Sequence, residues 1–150
     1  MTITEKVRQR LRILHSDISD FVKSIKPGAC PVGKVNRIIS SIEDGISKLS
    51  KLPLVFEAAA ISQKLGPADK EVVVRRASEA RDKLTRFLKS LETMLATVPE
   101  KGCETVIMQT ISLYMVMSPG AIESRIKHLT YELEEAEVII TVPAIAERIF

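Results

Sequence analysis

Residues 68–98 read ADKEVVVRRASEARDKLTRFLKSLETMLATV, and their apolar positions decide the fold class. Val73, Ala77, Ala80, Leu84, Phe87, Leu91, Met94 and Val98 recur four and three apart. That spacing returns to one side of an α-helix, whereas a half-buried strand alternates every second residue. Pro67 stands just before the pattern, and Pro99 and Gly102 stand where it stops. The spacing predicts a helix over about 68–97, long enough for a bundle seam or a partner helix.

The same punctuation divides the rest of the chain. Thr2 followed by Glu5 is a capping-box pattern, and Ile3, Val7, Leu11, Leu14, Ile18, Phe21 and Ile25 form one stripe, so a first helix is expected over 3–25. Pro27-Gly28 ends it. Val35, Ile38, Ile39, Ile42, Ile46 and Leu49 predict a second helix over 34–52, weakened by Gly45 within it. The third, from Pro53 to Gly66, is apolar on most sides and is expected to be buried and central. The run 103–117 is apolar nearly all round and is read by length as a buried helix, with a strand as the alternative. Ser118-Pro119 opens a sixth helix carrying Ile122, Ile126, Leu129, Leu133 and Ala136. The β-branched tail 138–142 is expected to be helical or extended. No strand alternation and no Asn-Gly or Asp-Gly hairpin turn competes. The fold class is all-α: an N-terminal helix-turn-helix arm, 1–52, followed by a helical bundle, 53–150.

Composition narrows the function classes. The 150 residues are 45% hydrophobic, which excludes a disordered chain, yet hold only four Phe, two Tyr and no Trp. Base-stacking recognition of single strands lacks its platforms. The longest apolar run, 106–117, falls short of the ~20 residues that span a bilayer, so no membrane insertion is expected. The N-terminus has no apolar signal region, which points to a virion or intracellular protein. Cys30 and Cys103 are too few for a disulfide scaffold; two reduced thiols are expected, with a single bridge the alternative.

Charge is uneven. Residues 1–52 hold ten Lys and Arg against five Asp and Glu, whereas 53–150 hold twelve against fourteen. On a helical wheel Arg8, Arg12, His15, Ser19, Lys23 and Lys26 share one face of the first helix, with Glu5 the only acid near it. Lys34, Arg37, Ser41, Lys48 and Lys51 share the outer side of the second, with Asp44 the only acid. A solvated face usually mixes signs, as Glu79, Asp82, Lys83, Arg86 and Lys89 do on the fourth helix. Single-sign faces with serines between the cations suit a phosphate backbone.

Catalytic patterns fail on inspection. Residues 28–35, GACPVGKV, have P-loop spacing, but Val35 replaces the Mg²⁺-binding hydroxyl, Pro31 removes an N–H, and no strand precedes them. His15 and His128 have no ligands at metal spacing. Glu132, Glu134, Glu135 and Glu137 have no base or nucleophile beside them and read as a solvated or partner-facing acidic patch. No enzyme, cofactor, metal or small-molecule substrate is expected.

The layout resembles the major capsid proteins of filamentous and rod-shaped archaeal viruses: Thr2–Ile25, the turn 26–33 and Lys34–Leu52 would be the arm, and 53–150 the bundle. The resemblance implies a non-enzymatic coat subunit that wraps double-stranded DNA without reading its sequence. A mean hydropathy of +0.11 and the apolar tail 138–150 agree with self-assembly. The alternative is an all-helical adaptor that docks partner helices and ignores nucleic acid.

Overall fold

The structure, a computed structural model, describes residues 2–24, 30–101 and 119–141. Among them are six helices and no strand: α1 Ile3–Ser24, α2 Val32–Leu49, α3 Leu52–Ser62, α4 Pro67–Lys101, α5 Pro119–Leu129 and α6 Tyr131–Thr141. The expected helix over 103–117, the tail beyond 141, Ile25 and Lys26 lie outside the described residues.

The centre is α4, not α3. At a rise of 1.5 Å per residue its 35 residues span roughly 52 Å. Along it α2, α3 and α6 make the most extensive packing among the described residues. Its buried line is Val73, Ala77, Ala80, Leu84, Leu88, Leu91, Leu95 and Val98, with Phe87 and Met94 half-buried at the flanks. The small residues Ala77 and Ala80 let neighbours approach closely, and the leucines fill the space further on. Pro99 falls in the last turn, where the loss of one N–H does not stop the helix.

In contrast, α3 buries only Leu52, Phe56 and Ala60. Leu54, Val55 and Ile61 face solvent, so its apolar character does not make it central. It also stops earlier than Gly66. Lys64 takes a left-handed φ of 56°, its N–H bonds to Ile61 O at 3.0 Å, and the Leu65 N–H reaches Ala60 O at 3.1 Å. This is a Schellman close, with Leu65 packed on the core. Gly66 instead precedes α4, its carbonyl accepting from the Lys70 N–H at 3.0 Å.

Helices α1 and α2 join the same core as α3 to α6. Among the described residues the 1–52 hairpin is docked along the bundle. The Thr2 hydroxyl accepts from the Glu5 N–H at 3.1 Å, as the capping pattern requires. The buried line of α1, however, runs Thr4, Arg8, Leu11, Leu14, Ile18 and Phe21. Ile3 and Val7, expected in the core, are only half-buried. The C-terminal pair is nearly continuous. Thr130 separates α5 from α6, and its hydroxyl donates back to Ile126 O at 2.7 Å, a bond that bends helices. Residues 138–141 are helical, because Ile140 is buried and Ile139 packs beside it one turn beyond Leu133 and Ala136.

Cys30 is disulfide-bonded, which corrects the expectation of two reduced thiols. The sequence offers one intrachain partner, Cys103, which lies outside the described residues. No described helix is long and apolar enough to cross a membrane.

Candidate nucleic-acid interface

The fold divides the expected basic residues into two sets. Arg8 and Arg12 turn toward α5 and α6. Arg8 keeps only 11% of its side chain exposed. Its Nε donates to Thr130 Oγ1 at 2.9 Å and its second terminal nitrogen donates to Glu134 Oε2 at 3.1 Å. Glu5 lies 3.5 Å from the other nitrogen. Arg12 holds both oxygens of Glu123, at 2.9 and 3.1 Å. That fork raises the pKa of Arg12 and lowers that of Glu123, in each case chiefly through the shared hydrogen bond. The helical wheel showed only Glu5 beside this face. Folding brings Glu123 and Glu134 to it from more than a hundred residues away.

The four glutamates of α6 each find a partner within the fold. Glu132 binds Lys83 Nζ at 3.2 Å, and the same ammonium donates to His128 O at 2.7 Å. Glu134 binds Arg8, and Glu135 lies 3.4 Å from Arg76. Glu137 Oε1 accepts from the Thr4 N–H at 3.0 Å, satisfying a donor in the first turn of α1 where the helix dipole also favours an anion. The acidic patch is partner-facing, and its partners are α1 and α4 of its own chain.

The second set stays outside. Lys34, Arg37, Ser41, Lys48 and Lys51 are all exposed. They follow one outer stripe of α2 and the turn after it. Lys34 to Lys48 spans about 21 Å, over which a DNA duplex presents roughly twelve charges. Asp44 is the one acid in the stripe; it lies 3.1 Å from Lys48 and 3.6 Å from Arg10 of α1. The Lys48 hydrogen bond is the main cause holding its pKa below the usual carboxylate range. On α1, Lys23 is exposed, and His15 and Ser19 are half-buried.

Two cations missed by sequence reasoning, Lys6 and Arg10, lie on the α2-facing side of α1 and adjoin Lys48 along a groove. Arg10 is 200° around the helix from Arg8, so it faces away from α6. Only the placement of α2 brings it to the stripe.

Residues 32–35 form the first turn of α2 instead of a phosphate cradle. Among the described residues no group of three or more His, Cys, Asp and Glu is gathered to hold a metal ion. Comparison of the chain with protein-family models, curated proteins and solved structures gives no match.

Proposed function

We propose that this chain is a non-enzymatic structural protein of coat or nucleocapsid type. It self-assembles and lies along double-stranded DNA through the outer face of α2, without sequence preference. The observation that carries the reading is the row Lys34, Arg37, Lys48 and Lys51, exposed on one stripe with a single acid among them. Arg8 and Arg12 are left out of the contact, because their charge is met within the fold. Four phosphate contacts imply a salt slope of about −3.6, or roughly a hundredfold loss of affinity between 50 and 200 mM salt.

Fluorescence anisotropy on two duplexes of unrelated sequence tests this. Both are expected to bind alike, with that slope, and the Lys34→Glu/Arg37→Glu variant is expected to lose at least tenfold. Equal binding by that variant, or no binding to duplex at all, refutes it. Electron microscopy of the protein with DNA is expected to show regular filaments or particles.

A second reading, an adaptor, is favoured by the exposed apolar residues Leu54, Val55 and Ile61 on α3. In that case Leu54→Lys abolishes a protein–protein complex, and the stripe on α2 is ordinary surface.

A further inference from the structure

A groove runs between α1 and α2. It encloses about 520 Å³, within the ~300–1,000 Å³ typical of small-molecule sites. Its floor is aliphatic and closed, Leu11, Ile42, Leu84 and Leu88 being 7, 1, 0 and 4% exposed. Its α1 wall is Ile3, Val7 and Ile13, and Ile13 is 54% exposed although it sits among apolar neighbours. From Ile3 to Leu14 the wall runs about 16 Å along the helix, the reach of an extended alkyl chain of medium length. Among the described residues no aromatic ring lines it, so a flat ligand finds nothing there to stack on.

Arg8, held by Thr130 and Glu134, takes a place on the buried line of α1. Ile3 and Val7 are half-buried against the core and line the groove with their remaining surface. On the other side α2 contributes Gly45. A Cβ there would meet only Leu88 Cδ1, at 3.8 Å, so packing does not demand the glycine, and its missing side chain keeps the groove clear.

The rim is cationic. Lys6, Arg10 and Lys48 line it against the single acid Asp44. Arg10 and Lys48 share that acid, and Lys6 has no acidic partner among the described residues. An apolar trough with a rim of net positive charge is complementary to one kind of molecule, a chain with an anionic end.

We propose that this groove binds a single free anionic amphiphile of fatty-acid type. Its alkyl chain lies over Leu11, Ile42, Leu84 and Leu88, and its carboxylate is met by Lys6, Arg10 and Lys48. A bilayer surface is a different source of the same head group and does not present an isolated chain to a trough of this size.

The test is a methyl-NMR titration of the full chain with dodecanoate below its micelle concentration. Three comparison ligands are hexanoate, dodecyltrimethylammonium and phosphatidylglycerol vesicles. Saturable shifts are expected at the Leu11, Ile42, Leu84 and Leu88 methyls. Dodecyltrimethylammonium and hexanoate are each expected to bind at least tenfold more weakly. Gly45→Leu fills the trough and is expected to abolish binding, whereas Gly45→Ala retains it. Arg10→Gln/Lys48→Gln is expected to weaken dodecanoate at least fivefold and to leave dodecyltrimethylammonium no weaker. The wild-type methyl map and this surface variant decide the matter even if Gly45→Leu does not fold. Shifts elsewhere, equal affinity for the cationic amphiphile, undiminished binding by folded Gly45→Leu, or binding to vesicles alone overturns the proposal.

Discussion

Replacing Arg8 with Met measures what holds the basic side of α1 to the C-terminal helices. Methionine keeps most of the stem and its packing but removes the guanidinium. One buried charge-assisted hydrogen bond is lost, the 2.9 Å bond to Thr130, and such bonds contribute about 1.5–3 kcal/mol. The pairs with Glu134 and Glu5 add little, because Glu134 is 56% exposed and Glu5 49%; exposed pairs contribute ~0–1 kcal/mol. Neither glutamate is left stranded, since water reaches both. Thr130 keeps its bond to Ile126 O, so no buried donor is orphaned. Removing a guanidinium that was costly to desolvate offsets part of the loss. The net cost is therefore about 2 kcal/mol, and at this chain length Tm should fall by roughly 4–8 °C. Urea unfolding followed at 222 nm reads the first number and a thermal scan the second. Thr130→Val in the Arg8→Met background should cost less than Thr130→Val alone, with a coupling of ~1–2 kcal/mol. A loss below ~0.5 kcal/mol, with no coupling, would show that Arg8 is ordinary surface and would return it to the pool of free cations.

Three further outcomes are expected. Lys64→Gly relieves a left-handed residue and should stabilise by about 1 kcal/mol, read as a raised urea midpoint at unchanged slope. Glu92 has its pKa raised, first by desolvation and then by its hydrogen bond with Glu43, so its contribution is present below the ordinary carboxylate pKa and is lost as pH rises through the raised one. Glu43→Gln should accordingly stabilise at pH 7 by ~0.5 kcal/mol on the scale of exposed charge pairs, read as a Tm higher by roughly 1–2 °C, and the gain should vanish at pH 3. Glu123 and Asp44 have lowered pKa values, so their contribution has the opposite sense and disappears as pH falls through those values. Cys30→Ser opens a loop of roughly 74 residues if Cys103 is its partner, at a cost of about 4 kcal/mol in the chain-entropy account. Mass spectrometry after alkylation should find no free thiol in the unreduced wild type.

The helices were legible because proline and glycine punctuate them and because one side of each must be apolar. Local geometry explains where the reading slipped. Lys64 closes α3 in a conformation that sequence rules assign to glycine, so those rules place the stop at Gly66, where the helix does not end. The tail 138–141 is β-branched, but burial of Ile140 overrides that preference. The basic stripe was legible as composition and misleading as a surface. A helical wheel shows which residues share a side; it carries no information about acids that arrive from position 123 or 134. Arg8 and Arg12 were therefore grouped with Lys23, although folding gives them carboxylates. The α2 stripe stays exposed because, among the described residues, no acidic helix packs over it. Lys6 and Arg10 were passed over for the converse reason, since their value comes from a neighbour, α2, whose placement no local pattern encodes.

The glutamates of α6 have one more consequence. Glu134 is a tethered counterion for Arg8 of α1, as Glu123 of α5 is for Arg12, each held at a high effective concentration. A polyanion approaching Arg8 and Arg12 has to evict carboxylates that return as soon as they leave. One approaching α2 displaces only water and dissolved salt, apart from Asp44. The charge thereby has a polarity that its modest net value conceals: the Arg8 and Arg12 side of α1 is covered by carboxylates from distant sequence, and the outer stripe of α2 carries a single acid, Asp44.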